Sequence, residues 1–233
     1  KGTTAKQNIA LLRYARLCGI RVRWNLLYAL PGDRAEDYRA MLSIIPTISH
    51  LPPPARLSKL SIDRFSPYFE EAEKFGVSAI VPLSSYYDLY PDGTDVGKIA
   101  YHFQAVYASE SASDLQLCSE VTEEIRKWRD QWGTGGQLPP SLVVMPLSVD
   151  SYVLIDTRPG YGPTATFIDQ ERAMAVLTEK PADAQKPWAL LNHYALILDD
   201  RYVPLATSDV DTMKELMEVR AMPSPGVLEE SGH

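Results

Sequence analysis

Apolar residues recur at helical spacing from the start of the chain. Ala5, Ile9, Leu12 and Ala15 step by three and four, so they share one helix face. Thr3 or Thr4 stands where an N-cap hydroxyl is needed. Gly19 follows as the expected C′ residue, because glycine takes the left-handed conformation without a Cβ penalty. The period then changes to two. Over residues 20–30, Ile20, Val22, Trp24, Leu26 and Tyr28 alternate with Arg21, Arg23, Asn25, Leu27 and Ala29. This predicts a strand, and apolar character on both sides towards its end predicts one covered on both faces, as in a parallel sheet. Pro31-Gly32-Asp33 breaks the strand. Asp33 and Glu36 have capping-box spacing, with Asp33 as N-cap. Tyr38, Met41, Leu42 and Ile45 form the apolar stripe of the next helix, which cannot pass Pro52-Pro53-Pro54. Residues 57–65 read as a second strand. Helix, strand, helix, strand is the alternation of a parallel α/β fold.

Beyond residue 70 the pattern loosens. Residues 70–97 read as an irregular, ordered loop carrying Tyr86, Tyr87, Tyr90 and a Pro91-Asp92-Gly93 turn. Ile99, Tyr101 and Phe103 alternate as in a short strand. Cys118, Val121, Ile125, Trp128 and Trp132 then trace a long helix, and Gly133-Thr134-Gly135-Gly136 is the clearest linker. Two strands, 142–147 and 152–157, flank a short turn and predict a hairpin. Residues 170–177 and 187–193 look helical. The runs 196–198 and 202–205 flank Asp199-Asp200-Arg201 as a second hairpin. Residues 209–222 read as a last helix and 223–233 as a tail. There is no internal repeat.

Charge narrows the function classes. The chain carries 23 Lys and Arg against 30 Asp and Glu, a net charge of −7, and no basic stripe beyond Arg126, Lys127 and Arg129. Nucleic-acid binders gain affinity from clustered cations, so no nucleic-acid partner is expected. No apolar run approaches the roughly 20 residues of a membrane span, and the first residues have no signal-peptide core. A cytoplasmic location and no membrane partner are therefore expected. The sequence starts without Met, as a piece of a longer chain would. Its two cysteines, Cys18 and Cys118, fall at apolar helical positions and read as buried thiols. Neither they nor His50, His102, His193 and His233 have metal-ligand spacing, so no metal site is assigned. There is no Gly-rich phosphate loop and no Gly-x-Ser-x-Gly elbow.

The constellation that stands out is the strand end. In parallel α/β folds ligands bind where strands end and helices begin. Two such ends occur here, at 28–33 and 65–68, both stiffened by proline. Each is either a cofactor edge or an ordinary strand-to-helix turn. Lys1-Gly2-Thr3-Thr4, Gly19-Ile20 and the run Asn25-Leu26-Leu27-Tyr28-Ala29-Leu30-Pro31-Gly32-Asp33 resemble the second half of a radical S-adenosylmethionine (SAM) barrel. Many members of that family have Gly where Ala29 stands, and Glu where Asp33 stands. With Trp24-Asn25-Leu26-Leu27-Tyr28, the runs Asp63-Arg64-Phe65-Ser66-Pro67-Tyr68-Phe69 and Ile155-Asp156-Thr157-Arg158-Pro159 narrow the likeness. The chain resembles cobalamin-binding radical SAM maturases of ribosomally made peptide natural products, closely over 1–105 and more loosely over 140–208.

The resemblance implies a fold class of α/β: the C-terminal portion of a radical SAM barrel, a partial TIM-type barrel, over 1–105. A small α+β, winged-helix-like accessory module over 106–208 follows, then a terminal helix and flexible tail over 209–233. It implies that Asn25, Leu27 and Ala29 face the barrel interior, that Leu30, Pro31 and Gly32 lie near the SAM adenine, and that Arg64, Phe65 and Pro67 close the other side. In the parent, the implied cofactors are SAM, a 4Fe–4S iron–sulfur cluster and cobalamin. The family's three-cysteine cluster motif is not in this sequence, so no catalytic residue is assigned here, and the chain is expected to be incompetent alone. The implied reaction is radical modification of a precursor peptide, such as C-methylation. The alternative is a peptide- or protein-binding module that recognises a leader peptide, with Trp188, Tyr194 and Tyr202 as either groove or core. Expected partners are the precursor peptide and the rest of the parent chain. Open barrel edges also point to self-association.

Overall fold

The computed structural model describes residues 3–133 and 138–221. The expected linker residues 134–136, Met222 and the tail 223–233 lie outside them. In chain order the elements are α1 (Ala5–Leu17), β1 (Leu26–Tyr28), α2 (Ala35–Ile44), β2 (Leu57–Lys59), β3 (Ile62–Asp63), α3 (Pro67–Glu70), β4 (Ser78–Pro82), α4 (Ser85–Leu89), α5 (Val96–Ile99), β5 (His102–Val106), α6 (Glu110–Ser113) and α7 (Leu115–Asp130). Then come β6 (Leu142–Ser148), β7 (Ser151–Asp156), β8 (Thr164–Asp169), α8 (Gln170–Leu177), α9 (Lys186–Leu191), β9 (Ala195–Leu198), β10 (Arg201–Pro204) and α10 (Val210–Ala221). The fold is mixed α/β, built on small sheets, none of which closes among the described residues. It divides into two compact units. One holds the described parts of Lys1–Val22, Pro46–Pro52 and Gln131–His233; the other holds Arg23–Ile45 and Pro53–Asp130. Neither is continuous in sequence, so α1 belongs with the C-terminal sheet, and α7 with β1 and α2.

In the first unit α1 begins and ends as its sequence dictates. Thr4 and Gln7 close a capping box. Gly19, at φ 65°, stops the helix, with the Ile20 amide donating to the Ala15 carbonyl at 2.8 Å. Ile9, Leu12 and Ala15 are buried. So is Arg13, whose guanidinium donates to the Ala206 and Leu177 carbonyls at 2.6–3.1 Å. Burial lowers that guanidinium to about 10. Cys18 is the C-cap of α1 and is exposed, not buried as its apolar register suggested, because the helix has already ended there.

The expected hairpin at 142–157 is β6–β7, and it gains a third antiparallel strand, β8, which the sequence pattern had not marked. The Thr164-Ala165-Thr166-Phe167-Ile168 run is β-prone, but it is short and abuts a helix. Leu142, Val144, Tyr152, Leu154 and Ile168 are buried on one face, against which α8 packs. Asp169 ends β8 and caps α8 by accepting from the Arg172 amide. The β9–β10 hairpin turns through Asp199 and Asp200, both left-handed, as a two-residue hairpin loop requires. Tyr194 and Tyr202 are core residues, and Trp188 packs on Tyr194 at 5.5 Å.

In the second unit β1 and β2 pair in parallel, Leu26 opposite Leu57 and Tyr28 opposite Lys59. The chain connects them through α2. The ladder is shorter than the expected 20–30 strand, although the Ala55 amide bonded to the Trp24 carbonyl (2.7 Å) extends the pairing backwards. The expected strand 57–65 divides in two: β2 serves β1, and β3 turns to β5. Residues 70–97, expected to be irregular, contain β4, which pairs with β5 across a bulge. Residue 99 ends the short helix α5, and the strand begins only at His102. Leu26, Tyr28, Met41, Leu42 and Leu57 pack on a core of Ala35, Tyr38, Leu117, Val121 and Ile125. Helices α2 and α7 therefore cover one face of the β1–β2 pair. On the other face Asn25 and Leu27 are exposed, so the strand is covered on one side, not two.

Candidate functional site

The end of β1 is shaped by two left-handed residues. Ala29 has φ 59° and Gly32 φ 75°. A side chain at position 29 is strained in this conformation, which glycine would adopt without a Cβ penalty. Ala29 is fully buried and held from both sides: its amide donates to Ser111 Oγ at 2.9 Å, and its carbonyl accepts from the Tyr107 hydroxyl at 3.0 Å. A Cβ at Gly32 would meet nothing within 4 Å. Gly32 opens onto a cleft of about 830 Å³ formed with Asp33, Arg34, Tyr107, Ser109 and Asp114 among others.

Asp33 is the hub of this corner. Its carboxylate accepts from the Leu30 amide (3.0 Å), the Tyr38 hydroxyl (3.0 Å), Ser109 Oγ (2.7 Å) and Ser111 Oγ. Burial alone would push its pKa up. The hydroxyls of Ser111, Ser109 and Tyr38 and the Leu30 amide outweigh burial and hold it below the usual carboxylate range. Asp33 is not the expected N-cap of α2. The helix starts at Ala35 with Arg34 at the N-cap position and no side-chain cap there. The Ala35 amide is met instead by Glu110, at 2.9 Å and 75 residues away. Leu117 is met in the same way by Asp114 at 3.0 Å. These acceptors, together with Ser109, Ser111 and Tyr107, were missed in the sequence, where the one available signal was the small polar cluster Ser109-Glu110-Ser111 ahead of a helix.

The other candidate residues do not share this cleft. Leu30 and Pro31 lie half-buried in the turn before Gly32. Asn25 lines a separate pocket at the opposite end of β1. Arg64 donates to the Ala100 carbonyl at 2.7 Å and to the Gly97 carbonyl, and its guanidinium stacks over Phe69 and Phe103 at 5.4 and 5.1 Å. It is a clasp of the β3–β5 corner. Phe65 is left-handed at φ 69° and 71% exposed, a conformation disfavoured for a bulky side chain. Pro67 opens α3 in the position that tolerates a missing amide.

The implied cofactors fit unequally. The open space at Gly32 and the exposed Asn25–Leu27 face leave room for a ligand such as SAM, whereas the Ala29 amide and carbonyl and Arg64 Nε and Nη2 already have protein partners. A 4Fe–4S cluster needs three thiolates besides SAM, and the chain has two cysteines, so these residues do not fit a cluster by themselves. Cys118 donates to the Ser111 carbonyl, and burial pushes its thiol up. Among the described residues no three His, Cys, Asp or Glu come together as metal ligands, and no helix is long and apolar enough to cross a membrane. No protein-family model, curated protein or solved structure matches this chain.

Proposed function

We propose that this chain is the rear part of a cytoplasmic radical SAM enzyme that modifies a ribosomally made precursor peptide, and that it supplies part of the SAM- and substrate-facing wall. The observation that carries the reading is the parallel β1–α2–β2 unit. Helices cover one face, the other face is open, and β1 ends in a left-handed turn beside a cleft. A segment of a larger barrel has this form: its outer face is packed, its inner face looks into the lumen, and ligands sit at the C-terminal strand ends. On this reading β1 and β2 pair only with each other among the described residues because their remaining neighbours belong to the rest of the barrel.

SAM and its cluster would supply the radical chemistry, and the parent's cobalamin a methyl group. This chain's residues position. Ser111, Tyr107 and Asp33 hold the turn, and Gly32 lets a ligand approach the backbone. The test is the full-length protein, produced anaerobically and reconstituted with iron and sulfide. Cluster absorbance and reductive cleavage of SAM to 5′-deoxyadenosine are expected. A folded parent showing neither overturns the reading.

A second reading rests on β8. It is an edge strand, paired only with β7 among the described residues, and its Phe167 is exposed, as is Met145 of β6 on the far side of Val153 of β7. A leader peptide could add to such an edge as a further strand. Labelled precursor peptide whose anisotropy does not change on titration with this chain would exclude that role.

A further inference from the structure

The pocket at the start of β1 has a chemistry that the proposed function leaves unused. It lies wholly within the second unit, has a volume of about 480 Å³, and is lined by Arg23, Trp24, Asn25, Ala55, Arg56 and Arg129. The backbone holds these residues together. The Ala55 amide donates to Trp24 (2.7 Å) and the Leu26 amide to the Arg56 carbonyl (3.1 Å), so the entries to the two parallel strands run side by side. Trp24 meets Trp128 edge-to-face at 6.1 Å, which brings the last turn of α7, and with it Arg129, to the same place.

Three exposed arginines of this acidic chain have carboxylates beside them, Arg34 with Glu36, Arg39 with Asp114, and Arg126 with Glu123 and Asp130, while the exposed Arg21 and Arg201, which do not line this pocket, are in no ion pair among the described residues. Among the described residues, Arg23, Arg56 and Arg129 form no ion pair. Arg56 spends one donor on Ser58 Oγ at 3.1 Å. Arg129 alone could be explained by the negative end of α7, but that does not account for Arg23 and Arg56. Three like charges facing one pocket repel one another, and a bound anion removes the repulsion. Guanidinium forks match the oxygens of phosphate in pairs. Three forks offer more donors than the two oxygens of a carboxylate can accept, and a phosphate or diphosphate has the acceptors.

We propose that Arg23, Arg56 and Arg129 form an anion site for a phosphate-bearing small molecule, with a diphosphate as the best match to three forks. The site is independent of the cleft at Gly32 and of the proposed reaction.

The test is calorimetric titration of the 233-residue chain with inorganic pyrophosphate at low salt. Saturable one-to-one binding is expected. It should weaken at least tenfold in Arg23→Ala, Arg56→Ala or Arg129→Ala, and weaken with added salt. Arg126→Ala, which removes the same charge from a paired surface arginine, should leave it unchanged. Circular dichroism checks that each variant is folded, and Arg56→Lys, which keeps the charge and loses the fork, should bind between wild type and Arg56→Ala. No saturable binding, or equal weakening in Arg56→Ala and Arg126→Ala, overturns the proposal.

Discussion

Replacing Arg158 with methionine tests the strongest energetic claim the structure makes. Arg158 and Asp156 are 0% and 1% exposed, and they form a two-pronged ion pair, Nε to Oδ1 at 2.9 Å and Nη2 to Oδ2 at 2.7 Å. The remaining donor, Nη1, serves the Thr47 and His193 carbonyls at 2.6 and 2.9 Å, and the guanidinium lies 4.5 Å from the Tyr161 ring centre. Methionine fills similar space but leaves the Asp156 carboxylate buried with the Arg158 backbone amide in place of a cation. Removing one partner of a buried pair costs about 3–5 kcal/mol, a factor of roughly a hundred to several thousand in the folding equilibrium. Replacing both partners, Asp156→Leu with Arg158→Met, removes the stranded charge and should recover most of that loss. Urea unfolding followed by circular dichroism measures both variants against the wild type. A loss below about 1 kcal/mol in Arg158→Met, or a double variant no better than the single, would refute the account of a satisfied buried network.

His50 is fully buried, bonded through Nε2 to the Leu205 carbonyl, and burial followed by the nearby Arg158 charge holds its pKa well below the usual histidine value. The unfolded chain therefore takes up a proton below about pH 6.5 and the folded chain does not, so stability should fall by up to about 1.4 kcal/mol per pH unit below 6.5; urea titrations that show no such slope, or a slope that survives in His50→Gln, contradict this. Asp33 is shifted the same way for a different reason: its folded pKa is depressed, so its stabilisation is present above the ordinary carboxylate value and is lost as pH falls through the lower folded value. Asp33→Asn should flatten the acid limb of the stability curve. Ser111→Ala strands the buried Ala29 amide and should cost about 1–3 kcal/mol by thermal or urea unfolding. Gly32→Ala meets no atom but must hold φ 75°, so a loss of about 1 kcal/mol from backbone strain is expected, and a neutral result would show that the turn relaxes.

Much of the local structure could be read in the sequence. The capped start of α1, its stop at Gly19, the apolar stripe of α2, and the hairpins β6–β7 and β9–β10 all follow from period, caps and turn residues. These depend on contacts within a few positions along the chain, so the residues themselves carry the information. The candidate site was legible only as a strand end with proline and glycine.

The tertiary structure decided the rest, because the deciding contacts join residues far apart in sequence. Asp33 and Glu36 have the spacing of a capping box, yet Glu110 meets the Ala35 amide and Asp33 anchors Ser109 and Ser111 instead. Arg13 sits on an apolar helix face and is buried because distant carbonyls receive its protons. Arg23, Arg56 and Arg129 are three unremarkable surface residues in the sequence, and they share a pocket because two parallel strand entries and a helix end meet there. Hydrogen bonds and charges gain their value from the low dielectric and the partner that folding brings, and no local pattern along the chain records that partner.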